Sequence, residues 1–254
     1  MTVRARRAAA AAAAVLLVLA VALVTLVPLR RAPAPSVFTT PGAGTRATVP
    51  HAVPRTIRVM PLGDSITYGI GSTSHGGYRT ALENRLTRAG MRVDFVGSQH
   101  AGPAGADDDN EGHPGWTIAR IHRHVDGWLR TYRPDVVLLH AGTNDLWRAD
   151  RAPGAAGRLS ALIDRIRTDR PRAQIFVAQL IGSSDPATQA RIDRYNAAVA
   201  TVAARKGSLV HLVDQRGVTA ADLTDLLHPR DTGYVKMAAA WFRAIRAARR
   251  TLPH

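Results

Sequence analysis

From Thr56 onward the chain alternates short apolar runs with longer stretches whose apolar positions recur every three or four residues. The runs Ile57 to Leu62, Val93 to Val96, Val136 to His140, Ile175 to Ile181 and Leu209 to Val213 are largely β-branched. That is the pattern of strands buried on both faces. Between and after them, Tyr78 to Ala89, Thr117 to Tyr132, Ala156 to Arg167, Thr188 to Arg205 and Thr232 to Ala248 carry the helical period. Strand alternating with helix predicts an α/β domain, a three-layer α/β/α sandwich with a five-stranded parallel sheet and right-handed crossovers. Loops that follow the carboxyl ends of the strands then form the edge where chemistry belongs.

The first 55 residues follow neither period. Arg4, Arg6 and Arg7 precede an apolar run from Ala8 to Val27, and Arg30 and Arg31 follow it. About twenty apolar residues at a rise of 1.5 Å span roughly 30 Å, enough for a bilayer core. Residues 1–31 therefore read as a signal peptide or transmembrane anchor. The run is long for a signal peptide, and Ala32-Pro33-Ala34 is followed by Pro35, which suits cleavage poorly. An uncleaved anchor is expected, with the remainder outside the cytoplasm by the positive-inside bias. Residues 32–55 scatter five prolines among Gly, Thr, Ser and Ala and read as an extended tether. Residues 56–254 remain as one domain.

Composition narrows the chemistry. The chain has no cysteine, which excludes thiol catalysis, cysteine-ligated zinc and disulfides. Of the formal charge of +15, five arginines fall in the first 31 residues with no acid, so about +10 belongs to the rest. A basic exported domain is drawn to anionic polymers, or its arginines simply solvate helix faces. Basic residues spread along helices without interleaved aromatics do not make a nucleic-acid module.

Three loops on the expected edge carry reactive side chains. After the first strand comes Gly63-Asp64-Ser65-Ile66-Thr67, where Ser65 is a candidate nucleophile or an ordinary helix cap. After the third comes Ala141-Gly142-Thr143-Asn144-Asp145, where Asn144 offers an amide N–H to the crevice or caps a turn. After the fifth comes Asp222 to Pro229, with Asp225 three residues before His228. That spacing lets a carboxylate orient an imidazole, and equally suits a surface pair or half of a metal site. The acidic run Asp107 to Asp109, with Asn110 and Glu111, clusters hard oxygens of the kind calcium prefers, yet has no EF-hand pattern. It reads as a solvated loop, and neither a metal nor a cofactor is expected. His113, His140, His122 and His124 read as structural.

Gly63-Asp64-Ser65, Gly115, Gly142-Thr143-Asn144-Asp145 and Asp225-Leu226-Leu227-His228-Pro229 occur in the order that marks the SGNH, or GDSL-type, hydrolases. The resemblance covers essentially the whole domain. Gly76-Gly77-Tyr78-Arg79, Asp94-Phe95-Val96-Gly97-Ser98 and Glu111-Gly112-His113-Pro114-Gly115-Trp116-Thr117 resemble the branch holding the carbohydrate-esterase family 3 acetylxylan esterases. Leu226 replaces the usual glycine of the last motif, and Thr67 excludes the Gly-x-Ser-x-Gly elbow.

The resemblance implies a flavodoxin-like fold and an extracytoplasmic serine esterase acting on O-acyl groups, acetyl above all, of a carbohydrate. It implies Ser65 as nucleophile, His228 as general base and then acid, Asp225 as its orienting partner, and an oxyanion hole from the Ser65 and Gly115 amides with the Asn144 side chain. Asp64 would brace the loop or line the substrate site. Trp116 and Trp147 would form a sugar-stacking wall or pack in the core. The expected partners are an acylated polysaccharide and, through an uncleaved anchor, a membrane. A lipase, lysophospholipase or thioesterase of the same fold is the alternative, and a non-catalytic carbohydrate-binding protein a remoter one.

Overall fold

Seven strands and seven helices build the domain in a computed structural model that describes residues 55–249. The expected leader, 1–31, and the expected tether apart from Arg55 lie outside the described residues. Among the described residues no helix is long and apolar enough to cross a membrane.

The five expected strands are β1 (Ile57–Gly63), β2 (Val93–Phe95), β5 (Val136–His140), β6 (Gln174–Ala178) and β7 (Val210–Val213). All are parallel, and β1 is flanked by β2 on one side and β5 on the other, followed by β6 and β7. Counted among themselves in chain order, they lie 2-1-3-4-5, the flavodoxin-like arrangement whose switch point falls between the first and third. That point is the gap between β1 and β5.

The strand count corrects the expectation of five. Two further strands, β3 (Gln99–His100) and β4 (Asp109–Gly112), form a short antiparallel pair. β1 is long enough to pair β2 along Ile57 to Val59 and β4 at Leu62 and Gly63. β3 and β4 are short and almost wholly polar, so neither an apolar run nor alternation announces them. The acidic run therefore corrects as well: Asn110 and Glu111 are fully buried in β4 instead of lying in a solvated loop.

Side-chain alternation along the strands divides the core in two. Val136, Leu138 and Phe176 point to the face covered by α2 (Gly77–Arg88) and α7 (Asp231–Ala247), where Tyr78, Leu82, Met237 and Trp241 pack. Val137, Leu139, Ile175 and Val177 point to the opposite face, under α3 (Ile118–Tyr132), α5 (Ala155–Asp169) and α6 (Pro186–Ala204). On α3 the buried residues Ile118, Ile121, Val125 and Leu129 form one stripe, each contributing about 1.5–3 kcal/mol of burial. Caps set the helix starts: Thr117 accepts from the Arg120 amide, and Asp185 accepts from the Thr188 amide with Pro186 following it.

Two short helices escaped the periodicity because neither completes two turns. They are α1 (Ser65–Tyr68), directly after β1, and α4 (Thr143–Trp147), just beyond β5. Both stand at the switch point.

Candidate active site

β1 delivers Ser65 to the sheet edge through Gly63, where a Cβ would lie 2.2 Å from the His140 carbonyl oxygen of β5. Only glycine lets the two strands approach so closely there. Asp64 is the N-cap of α1, its Oδ1 accepting from the Ile66 amide at 3.0 Å. The Ser65 Oγ lies 2.9 Å from His228 Nε2, across 163 residues of sequence. On the other side of the ring, His228 Nδ1 is 2.7 Å from Asp225 Oδ2.

The loop that presents His228 closes on itself. Leu223 bridges Pro229, and the Thr224 amide donates to the His228 carbonyl at 2.8 Å. Asp225 Oδ1 accepts from the amides of Leu227 and His228 at 2.8 and 2.7 Å, so Leu226 occupies the usual glycine position without disturbing the contact. Partial burial by itself raises the Asp225 carboxyl, but those two amides and the His228 ring outweigh it and leave the group below its ordinary value. Asp222 is held by Thr219 and Lys236, and Asp214 by Arg216, so neither competes for the imidazole. Ser183 and Ser184, which no sequence motif singles out, support the loop: both donate to the Leu226 carbonyl, Ser183 through Oγ at 2.9 Å and Ser184 through its amide at 3.2 Å.

Opposite the imidazole, Asn144 on α4 donates from Nδ2 to the Trp116 carbonyl at 2.9 Å and lies 3.5 Å from Asp64 Oδ2. Gly115 has φ +77°, and its amide has no hydrogen-bond partner among the described residues. It follows Pro114 in a turn closed by the Trp116 amide donating to the His113 carbonyl at 3.1 Å. Proline followed by a positive-φ glycine is the signature of a type II turn.

Asp64 is fully buried, and burial pushes its carboxyl up to about 6. The Ile66 amide, the nearby Thr143 hydroxyl and the charge of His228 hold it from rising further. Trp116 is half-buried, stacked on His113 at 4.1 Å between centroids, with the Arg120 guanidinium 4.3 Å over its ring. Trp147, at the end of α4, is 42% exposed. His140 is wholly buried, neither ring nitrogen has a partner among the described residues, and burial pushes it down to about 4. His124 bonds to the Arg120 carbonyl within α3.

Among the described residues, His100, Asp108 and Asp109 have ligand atoms within 4.8 Å of one another. They sit at the surface on the β3–β4 pair, where His100 already pairs with Asp109 at 2.8 Å.

The GDSL-like Lipase/Acylhydrolase family matches residues 62–236. A multidomain esterase of Ruminococcus flavefaciens is 33% identical over 221 residues, which are 75% of this chain and 28% of that protein. The chain thus spans little more than a quarter of that relative. Among solved structures, the Clostridium thermocellum family 3 carbohydrate esterase is 39% identical with a TM-score of 0.69, covering 77% of this chain and 98% of its own. A family 3 carbohydrate esterase from Talaromyces cellulolyticus is 28% identical with a TM-score of 0.68, over 78% of this chain and all of its own. The matched segment runs from the end of β1 into α7 and takes in every loop of the site, so this chain belongs to the GDSL-like lipase/acylhydrolase family.

Proposed function

We propose that this protein is a serine esterase that removes small O-acyl groups, acetyl foremost, from a carbohydrate. The observation that carries the reading is the continuous chain from Asp225 through His228 to Ser65, with contacts of 2.7 and 2.9 Å. A serine hydroxyl is nearly inert at neutral pH without an adjacent base, and this arrangement supplies one. His228 Nε2 takes the Oγ proton as Ser65 attacks the ester carbonyl. Asp225 holds the ring in orientation and stabilises the imidazolium. Negative charge gathers on the former carbonyl oxygen, which the Ser65 and Gly115 amides and the Asn144 side chain receive. His228 then gives its proton to the departing sugar oxygen, which leaves as a hydroxyl, and an acetyl group remains on Ser65. Water, deprotonated by His228, attacks the acetyl carbonyl, and His228 passes that proton to the Ser65 Oγ as acetate leaves, restoring the enzyme.

Two further features support a small acyl group on a large alcohol. The site is open, with the Asp225 side chain 52% and the His228 side chain 21% exposed. The neighbours described as family 3 carbohydrate esterases share the fold over nearly their whole length. We place the domain outside the cytoplasm, on the strength of the apolar run from Ala8 to Val27 with three arginines before it and two after it.

The test is turnover of acetylated xylan and of p-nitrophenyl esters of increasing acyl length by wild type and Ser65→Ala. Wild type is expected to prefer acetyl, and the variant to lose activity by a factor of about 10⁴ or more while keeping the wild-type circular dichroism spectrum. Undiminished turnover by the variant overturns the nucleophile; preference for long acyl chains overturns the substrate.

A further inference from the structure

The turn that carries Gly115 is exposed, and a Cβ placed at that glycine would touch nothing within 4 Å. Packing around Gly115 itself therefore does not hold it, although an oxyanion donor must be fixed before charge develops. The turn is tied down at its first residue. The His113 amide donates to the Gly63 carbonyl at the end of β1, at 3.0 Å. Its Nε2 lies 2.6 Å from Glu111 Oε1, and the ring runs near-parallel to Trp116 and Trp128.

Glu111 is an unusual partner. It is completely buried in β4, beside Leu62 of β1, with no lysine or arginine paired to it among the described residues. Its other contacts are the Ser98 amide at 2.8 Å and the Ser98 hydroxyl at 2.7 Å. Burying a carboxyl group costs several kcal/mol unless its oxygens are satisfied, and an apolar residue would fill the space at no such cost. Among the described residues, its side-chain hydrogen bonds run to Ser98 and to the one side chain that begins the turn.

The far end of the same turn reaches the second donor, since the Trp116 carbonyl accepts from Asn144 Nδ2. A shift of His113 is thus transmitted to Gly115 and, through Trp116, to Asn144. We infer that His113, fixed by buried Glu111, is the positioning residue that sets both the Gly115 amide and the Asn144 side chain for the transition state. This rests on the esterase reading above. A misplacement of about 1 Å at a reacting centre costs on the order of 100-fold in rate.

The experiment compares His113→Phe, which keeps a flat ring against the tryptophans but cannot donate, with His113→Gln, which restores a donor at similar reach. Rates on p-nitrophenyl acetate are accompanied by thermal melts and by ¹⁵N-resolved signals of the Asn144 side-chain amide and the Gly115 amide. His113→Phe is expected to lower kcat about 10- to 100-fold with KM within about 2-fold, and to shift both signals. His113→Gln should recover most of the rate and the wild-type signals. Because part of the His113 effect runs through Asn144, adding His113→Phe to Asn144→Ala should cost less than the product of the single losses.

Unchanged kcat in His113→Phe, equal losses in both His113 variants, or multiplicative losses in the double variant would each overturn the inference. Glu111→Gln, should it fold, is expected to fall between the two His113 variants, and wild-type rates there count against it. If wild type proves to have no Ser65-dependent turnover, the esterase reading fails by itself. The amide signals then still decide whether His113 places the two donors.

Discussion

Asp64 is the residue whose chemistry the motif alone does not reveal. Its carboxyl is fully buried beside Ser65, one oxygen on the Ile66 amide and the other near Asn144. With a folded value of about 6 against about 3.9 in an unfolded chain, it binds its proton more tightly in the native state. The stability this gives is fully present below about pH 4 and is lost as pH rises from there to about 6. Asp64→Asn removes the titration while keeping an oxygen for the Ile66 amide. Thermal melts between pH 4 and 8 should therefore show wild type losing about 2–3 kcal/mol relative to Asp64→Asn across that window. A constant difference between the two proteins would show that Asp64 does not titrate there. Asp225 has the opposite sign, its lowered carboxyl giving stability above about pH 4 that is lost on acidification, and it is common to both proteins, so the comparison isolates Asp64.

Among elements, the connection from α1 to α2 shows how a site on a four-residue helix stays in place. Arg79 of α2 is fully buried and its Nη2 donates to the carbonyls of Tyr68, His75 and Ala101. Its Nε and Nη1 have no partner among the described residues, and burial lowers the guanidinium below its ordinary value. The Tyr234 hydroxyl adds a bond from α7 to the Ile70 carbonyl at 2.6 Å, and Asp231 at the start of α7 accepts from the Thr73 amide and hydroxyl. The segment behind Ser65 is thereby tied to the helix that follows His228. Arg79→Ala leaves a cavity and three unpaired carbonyls, and should destabilise the domain by about 3–5 kcal/mol in denaturant unfolding. A loss below about 1 kcal/mol would mean that water replaces the guanidinium at no cost.

For the molecule, a contact just before β1 ties its entrance to that of β5. Arg55 pairs with Asp135 at 2.8 Å, and the other oxygen of Asp135 accepts from the Arg58 amide at 3.0 Å, joining the entrances of β1 and β5. A chain beginning at His51 keeps both. It should unfold in one cooperative transition and match the full chain in kcat/KM on p-nitrophenyl acetate. A chain beginning at Ile57 loses only the half-exposed Arg55 pair, worth less than about 1 kcal/mol. A broad or biphasic melt of the His51 chain would show that earlier residues take part in the fold.

Local chemistry made much of this protein legible. Runs such as Val136 to His140 declare a doubly buried strand because both faces of the sheet exclude water, and stripes such as Ile118, Ile121, Val125 and Leu129 declare a helix because one face does. Asp225 and His228 are three residues apart, so their contact needs little beyond the loop itself. Tertiary structure decided the rest. That Ser65 meets His228 depends on strands lying side by side across 163 residues, which no local pattern encodes. The polar strands β3 and β4 exist because the end of β1 offers them backbone partners, so hydropathy is silent about them. The same pairing carries Glu111 out of water and under the turn of Gly115, where a residue that reads as solvated surface becomes a buried support of the site.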